Sequence, residues 1–299
     1  MTGQFRRILM LNIKYKLLAA TIMTLGITSA NAEMMTINYA SPVGQTGTFN
    51  AEVNVPLQPA QKSKAVVLLH HAGGYQMGTT AIYRELFLKN GYVTVEPVMF
   101  DRMPRQLRSD YYIPYAFASL KYLAERADVD ANDISVVGMS FGGSIAVYSA
   151  TKWVNDTYNN SGTSFKKYAS LYPVCWPMEQ FIRGTLSDKF KQLMSAYPAD
   201  MLNTWQNSPM KLYKGSNDDY DSQDSKVCDN FVAAIPSKEQ REQTKVELIN
   251  GATHGWDHGK TYSFYTSLAN HGSGGTNINE SNTDVTEFVK QDLVKFISE

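Results

Sequence analysis

Cysteine is scarce in this sequence: there are two, Cys175 and Cys228, in 299 residues. With no C-x-x-C pair among them, no metal site is expected, and no motif asks for another cofactor. Neither sign of charge is in excess, since Lys+Arg and Asp+Glu both number 28. A chain so balanced, with no basic patch, has no electrostatic reason to bind nucleic acid. A membrane-spanning run is also missing: the apolar stretch Leu17 to Thr28 is about 12 residues, where a spanning helix needs about 20. No repeat, low-complexity tract or Pro/Ser-rich linker divides the chain. With 43% hydrophobic and only 19% charged residues, it reads as globular rather than disordered.

What stands at the start is a targeting segment. Arg6, Arg7, Lys14 and Lys16 form a positive region without acids, the Leu17–Thr28 stretch follows, and Ala30-Asn31-Ala32 is an A-x-A cleavage site. Residues 1–32 are therefore expected to be a signal peptide, and 33–299 a single domain exported to the periplasm or secreted, with no stable membrane anchor after cleavage. Removing that segment leaves 24 bases against 28 acids, a mildly acidic product. In an oxidising compartment the even cysteine count points to one disulfide, Cys175–Cys228; the alternative is two buried thiols.

Beyond the segment, strand-like and helix-like stretches alternate. Strands are expected at Thr48–Val55, Ala65–Leu69, Tyr92–Val98, Ile134–Val137, Tyr168–Tyr172, Met210–Tyr213 and Lys245–Ile249. Helices are expected at about Thr79–Lys89, Pro114–Arg126, Gly142–Val154 and Asp284–Ile297. In the last, Val285, Phe288, Val289, Leu293 and Phe296 form the buried face. Such alternation means βαβ units and an α/β fold: a mainly parallel central sheet with helices on both faces, and ligands at the carboxyl ends of the strands.

Gly138-Met139-Ser140-Phe141-Gly142, with Gly143 after it, is a G-x-S-x-G pattern lying between the strand Ile134–Val137 and the following helix. That setting is a nucleophile elbow of the α/β-hydrolase fold, in which only small residues fit around the serine. Ser140 is the expected nucleophile. A serine hydroxyl needs a base; His254, in Ala252-Thr253-His254-Gly255 after the last strand, has the place that the order Ser, acid, His requires. His258 is the fallback, and His271, in a Gly/Ser/Asn loop, reads as surface. Asp218, in Gly215-Ser216-Asn217-Asp218, is the favoured acid, with Asp219 its adjacent rival. The oxyanion donors are expected to be the backbone N–H of Phe141 and that of Ala72, with Gly73 the alternate. His70 and His71 are expected to hold that loop by hydrogen bonds.

Together, the elbow, the histidine-glycine loop, G-x-x-D and the A-T-H-G segment resemble the dienelactone hydrolase-like branch of the α/β hydrolases, from about Thr48 to the end. Two departures stand out. Ser140 occupies a position where dienelactone hydrolases proper commonly carry cysteine, and His70-His71 stands where hydrolases usually have His-Gly. The resemblance implies a serine esterase acting on a small-molecule ester through an acyl-enzyme. A serine peptidase or amidase of the same fold is the alternative, and a non-catalytic binding protein on a hydrolase scaffold a third reading. The Cys175–Cys228 bridge would then tie a cap-like insertion, about 176–205, to the loop carrying Asp218. A second long loop, about 255–282, holds Trp256, Tyr262, Phe264 and Tyr265; these aromatics either pack or line the site. The residues leave oligomeric state open.

Overall fold

The computed structural model describes residues 31–57, 62–101 and 107–299. The segment expected to be a signal peptide, residues 1–32, therefore lies outside the described residues, except for its last two positions. In chain order the strands of the main sheet are β1 (Asn31–Ala40), β2 (Thr46–Val55), β3 (Ser63–Leu69), β4 (Val93–Pro97), β5 (Val129–Met139), β6 (Tyr168–Leu171), β7 (Met210–Gly215) and β8 (Thr244–Ile249). Their spatial order is β1-β2-β4-β3-β5-β6-β7-β8. The ladders β1–β2 and β2–β4 are antiparallel, and all the others are parallel. The alternation in sequence thus produces the expected mainly parallel sheet.

Period-two side-chain alternation sorts the sheet residues into two cores. On β3, Ala65, Val67 and Leu69 face one core while Val66 and Leu68 face the other; on β5, Ile134 and Val136 part from Val137 and Met139 in the same way. The first core is covered by α2 (Ile113–Ala124) and α3 (Phe141–Tyr148). The opposite face is covered by α1 (Ala81–Lys89) through Tyr83 and Phe87, and by the C-terminal helix Thr283–Ser298 through Val289, Leu293 and Ile297. Burial on both faces explains why Ala65–Leu69 of β3 reads as a continuous apolar run, and Ile134–Met139 of β5 is likewise buried throughout.

Several expectations are corrected. The helix expected over Gly142–Val154 is two, α3 and α4 (Lys152–Tyr158). Ala150 and Lys152 exchange backbone hydrogen bonds with Gln206 and Thr204 across the Thr151–Trp205 bridge, and the Thr151 hydroxyl then caps α4. The strand β1 was not expected; it starts inside the A-x-A site, with Ala32 paired to Asn54. Between β6 and β7 the chain forms α5 (Trp176–Ile182), α6 (Asp188–Lys191) and two short 3-10 turns. The remaining helices before the last are α7 (Val227–Ala234) and α8 (Lys238–Gln243). The stretch 255–282 is no plain loop, because β9 (Tyr262–Thr266) and β10 (Gly275–Asn279) pair there as a separate antiparallel ribbon. In the C-terminal helix, α9, Phe288 is exposed and Ile297 takes its place in the stripe, since Phe288 lies one residue, about 100° around the helix, from Val289.

Candidate active site

The strand β5 ends at Met139, and the chain turns into α3 with Ser140 at φ 50°, ψ −111°. A non-glycine residue in that region is strained, and it persists only where its surroundings over-determine it. Here they do. A Cβ on Gly142 would collide with the carbonyl oxygen of Leu69, one on Gly138 with that of Gly142, and one on Gly143 with Ser170 Oγ. The glycines let helix and sheet close to backbone contact, which holds Ser140 at the N-terminus of α3. Gly142→Ala is accordingly expected to cost about 1–3 kcal/mol. A thermal melt would show it, and an unshifted Tm would contradict the close contact.

His254, in the loop after β8, is 2.8 Å from Ser140 Oγ through Nε2 and 2.9 Å from Asp218 Oδ2 through Nδ1. Burial raises the Asp218 pKa, but the charges of His254 and Lys214, with hydrogen bonds from His254 and the Tyr220 N–H, more than offset this and hold it at about 2. The carboxylate is thus ionised and only accepts. His254 Nδ1–H donates to it, and Nε2 accepts the Ser140 hydroxyl. Two tyrosine rings flank the imidazole, Tyr172 at 5.0 Å and Tyr220 at 4.4 Å between centroids. Tyr172 is itself fixed, donating its hydroxyl to the buried Asp257, which also accepts from Tyr83.

The neighbours of these residues take other roles. Asp219 accepts from the Ile278 N–H (2.8 Å) and from Gln223 (2.9 Å), so it anchors β10 rather than His254. His258 shares Nδ1 with the Tyr262 hydroxyl at 2.7 Å, and its ring stacks on His71. Burial, then the charges of His254 and Lys260, push its pKa down to about 4, so it is neutral near pH 7. His254 and His258 stand four residues apart yet point to different partners, and the described residues hold no cluster of three or more His, Cys, Asp or Glu suited to a metal ion. His271 is not plain surface: its Nε2–H donates to the carbonyl of Asp221 at 3.0 Å.

In the loop after β3, His70 Nε2 accepts from the Met99 N–H (2.9 Å), so its Nδ1–H donates to the His71 carbonyl. His71 Nδ1 accepts from the Gly73 N–H at 2.7 Å. That bond commits the Gly73 donor and leaves Ala72 as the candidate from this loop. Ala72, Phe141, Ser140 and His254 all line one cleft of about 740 Å³. Its walls are largely apolar: Val174, Pro177, Phe190, Leu193 and Met194 come from the β6–β7 segment, and Tyr262, Phe264 and Tyr265 from β9. Four exposed large hydrophobic residues, Met77, Leu107, Phe264 and Tyr265, gather around this one cleft. Cys175 and Cys228 form a disulfide joining the start of α5 to α7.

Some of this was missed in the sequence: Lys214, Asp221, Tyr172 and Asp257, all buried around His254 or its partner. The one available signal was Lys214, which by period-two alternation shares a strand face with the apolar Met210 and Leu212.

No curated protein matches the chain in sequence. The dienelactone hydrolase family model matches residues 49–168, which contain Ser140. Among solved structures, Est1E from Butyrivibrio proteoclasticus is similar at 17% identity, over 89% of this chain and 99% of that one, with a TM-score of 0.57. Thermogutta terrifontis esterase 2, phosphoramylated by tabun, is similar at 14% identity, over 89% and 94%, with a TM-score of 0.61. At those identities the likeness speaks for the fold, and it agrees with the strand order and the elbow. The chain has the α/β-hydrolase fold, and its residues 49–168 match the dienelactone hydrolase family model.

Proposed function

We propose that the protein hydrolyses carboxylic esters through an acyl-enzyme on Ser140. The observation that carries this reading is the unbroken hydrogen-bonded line Ser140–His254–Asp218, opening on an apolar cleft. His254 takes the Ser140 proton as the oxygen attacks the ester carbonyl, and Asp218 orients the imidazole and stabilises its charged form. The N–H groups of Phe141 and Ala72 receive the oxyanion. The alcohol leaves with the proton from His254, and water, deprotonated by the same base, releases the acid.

The esterase names of the structural neighbours support an ester as the substrate. Est1E is also described with ferulic acid bound, and esterase 2 with butyrate and with propionate. The apolar walls of the cleft favour an apolar or aryl acyl or alkyl group. The reading also takes residues 1–32 as a cleaved export signal, 33–299 as one domain active in the periplasm or outside the cell, and 176–205 as the cap. The disulfide fits an oxidising compartment.

With p-nitrophenyl butyrate, a burst of about one p-nitrophenolate per enzyme is expected before the steady state, together with labelling of Ser140 by a fluorophosphonate. Absence of both would overturn the proposal. Tyr265, 74% exposed on the cleft rim, is expected to contact the distal part of a bulky substrate. Its loss in Tyr265→Ala should raise KM for aryl-acyl esters about threefold to tenfold, leaving kcat and the KM for acetate esters unchanged. Equal KM changes for acetate and aryl-acyl esters would show that the ring does not select substrate.

A further inference from the structure

Behind the Ser140–His254–Asp218 line lies a second layer of charge. Lys214, at the end of β7, is fully buried, with Nζ 3.3 Å from Asp218 Oδ2 and 2.9 Å from Asp221 Oδ2. Asp221 is buried as well, and its other oxygen accepts from the backbone N–H of Trp176 at 3.2 Å. One ammonium therefore serves two carboxylates, only one of which touches His254.

Such an arrangement has to answer two demands. The Asp218 carboxylate, fully desolvated, needs donors on both oxygens. His254 donates to Oδ2, the Tyr220 N–H donates to Oδ1, and the Lys214 ammonium forms an ion pair with Oδ2 at 3.3 Å. A lone buried ammonium in contact with Asp218, however, would cancel the negative charge on which an imidazolium at His254 depends, at a place where solvent screens little. A second carboxylate on the far side of the ammonium removes that conflict. We propose that Lys214 and Asp221 are a paired positioning device for the His254 base: Lys214 fixes Asp218, and Asp221 neutralises Lys214 so that Asp218 keeps its full electrostatic pull on the imidazole.

The remaining groups around this layer do not supply that counter-charge. Asp219, in the same turn, spends its carboxylate on Gln223 and the Ile278 N–H. His271 donates to the Asp221 backbone rather than to its side chain. Burial, with the charge of Asp218, pushes the Tyr220 phenol up to about 12, so it is neutral near pH 7. Beyond His254, Asp257 is held by two tyrosine hydroxyls, and His258 is neutral there too. Lys214 is held in its charged form by Asp218 and Asp221 against the opposing effect of burial.

The inference rests on the esterase reading, and its test separates the two. The rate of fluorophosphonate labelling of Ser140 and kcat/KM for a p-nitrophenyl ester are followed against pH in the full chain. In Asp221→Asn the uncompensated ammonium disfavours imidazolium. The base then stays free to lower pH, and the acidic limb of both profiles is expected to move down by about one unit, with the plateau about tenfold lower. The charge-balanced double variant Lys214→Met/Asp221→Asn is expected to bring the limb back to the wild-type position. A limb unmoved in Asp221→Asn, or equally displaced in the double variant, overturns the proposal and leaves the pair a merely structural contact. Asn is isosteric and leaves Lys214 paired with Asp218. If only the double variant folds, a limb displaced by a full unit in it is the overturning result. Activity without labelling at Ser140 would instead sink the esterase reading.

Discussion

Ser140→Ala is expected to lower kcat for a p-nitrophenyl ester by about 10⁴–10⁶, with little change in KM. The size follows from what the hydroxyl does. It is the only oxygen within hydrogen-bonding distance of His254 Nε2 among the described residues, so its removal leaves the base with no nucleophile of the chain to activate. What remains is water, reached through the oxyanion donors and the cleft. Stability should hardly move, because the strain at φ 50° is imposed by the glycine contacts and not by the hydroxyl. The decisive comparison is therefore kcat against Tm: a large fall in the first with the second unchanged. His254→Ala should lose a similar factor, and the double variant little more, since the two groups act as one unit. Retention of more than about a hundredth of the activity in Ser140→Ala would mean that the reaction runs elsewhere.

How far this site could be read from the sequence differs residue by residue. The elbow was legible because β-branched Ile134, Val136 and Val137 mark a strand, and glycines on both sides of Ser140 mark the tight turn. The position of His254 was legible from chain order. The choice between Asp218 and Asp219 was legible only as a preference, from the offset of Asp218 after Gly215, because adjacent side chains in a loop diverge in ways that spacing does not encode. What decides is the 3-10 turn Asp219–Asp221, which Asp218 caps through the Tyr220 N–H, turning Asp218 to His254 and Asp219 to Ile278. Lys214 and Asp221 escaped notice for a related reason. A lysine at a strand end ordinarily reads as solvated, and only the convergence of β7, the turn and α5 makes it a buried counter-ion. The ribbon β9–β10 stayed hidden because Tyr262 to Thr266 is mostly exposed, so burial imposes no alternation on it. Phe288 shows the opposite error: an apolar residue assigned to a buried face that helix geometry turns outward.

Replacing both cysteines by serine is expected to lower stability by about 4 kcal/mol. The bridge closes a loop of 53 residues, and in the chain-entropy model an unfolded chain freed of such a loop gains about that much. For a chain of this size the loss corresponds to a Tm lower by roughly 8–16 °C. Both cysteines are fully buried where α5 meets α7, so each serine also leaves a polar group in an apolar place. The consequences reach the cleft. Trp176, next to Cys175, donates the backbone N–H that holds Asp221, and Pro177 on the same helix lines the site. At 25 °C, well below the transition, KM is expected to rise several-fold as α5 loosens. The acidic limb of kcat/KM should stay in place, because no charge around His254 has been removed. That combination separates this variant from Asp221→Asn, where the charge goes and the bridge stays. A Tm within about 2 °C of wild type would show that packing alone docks α5 on α7, and KM should then be unchanged as well.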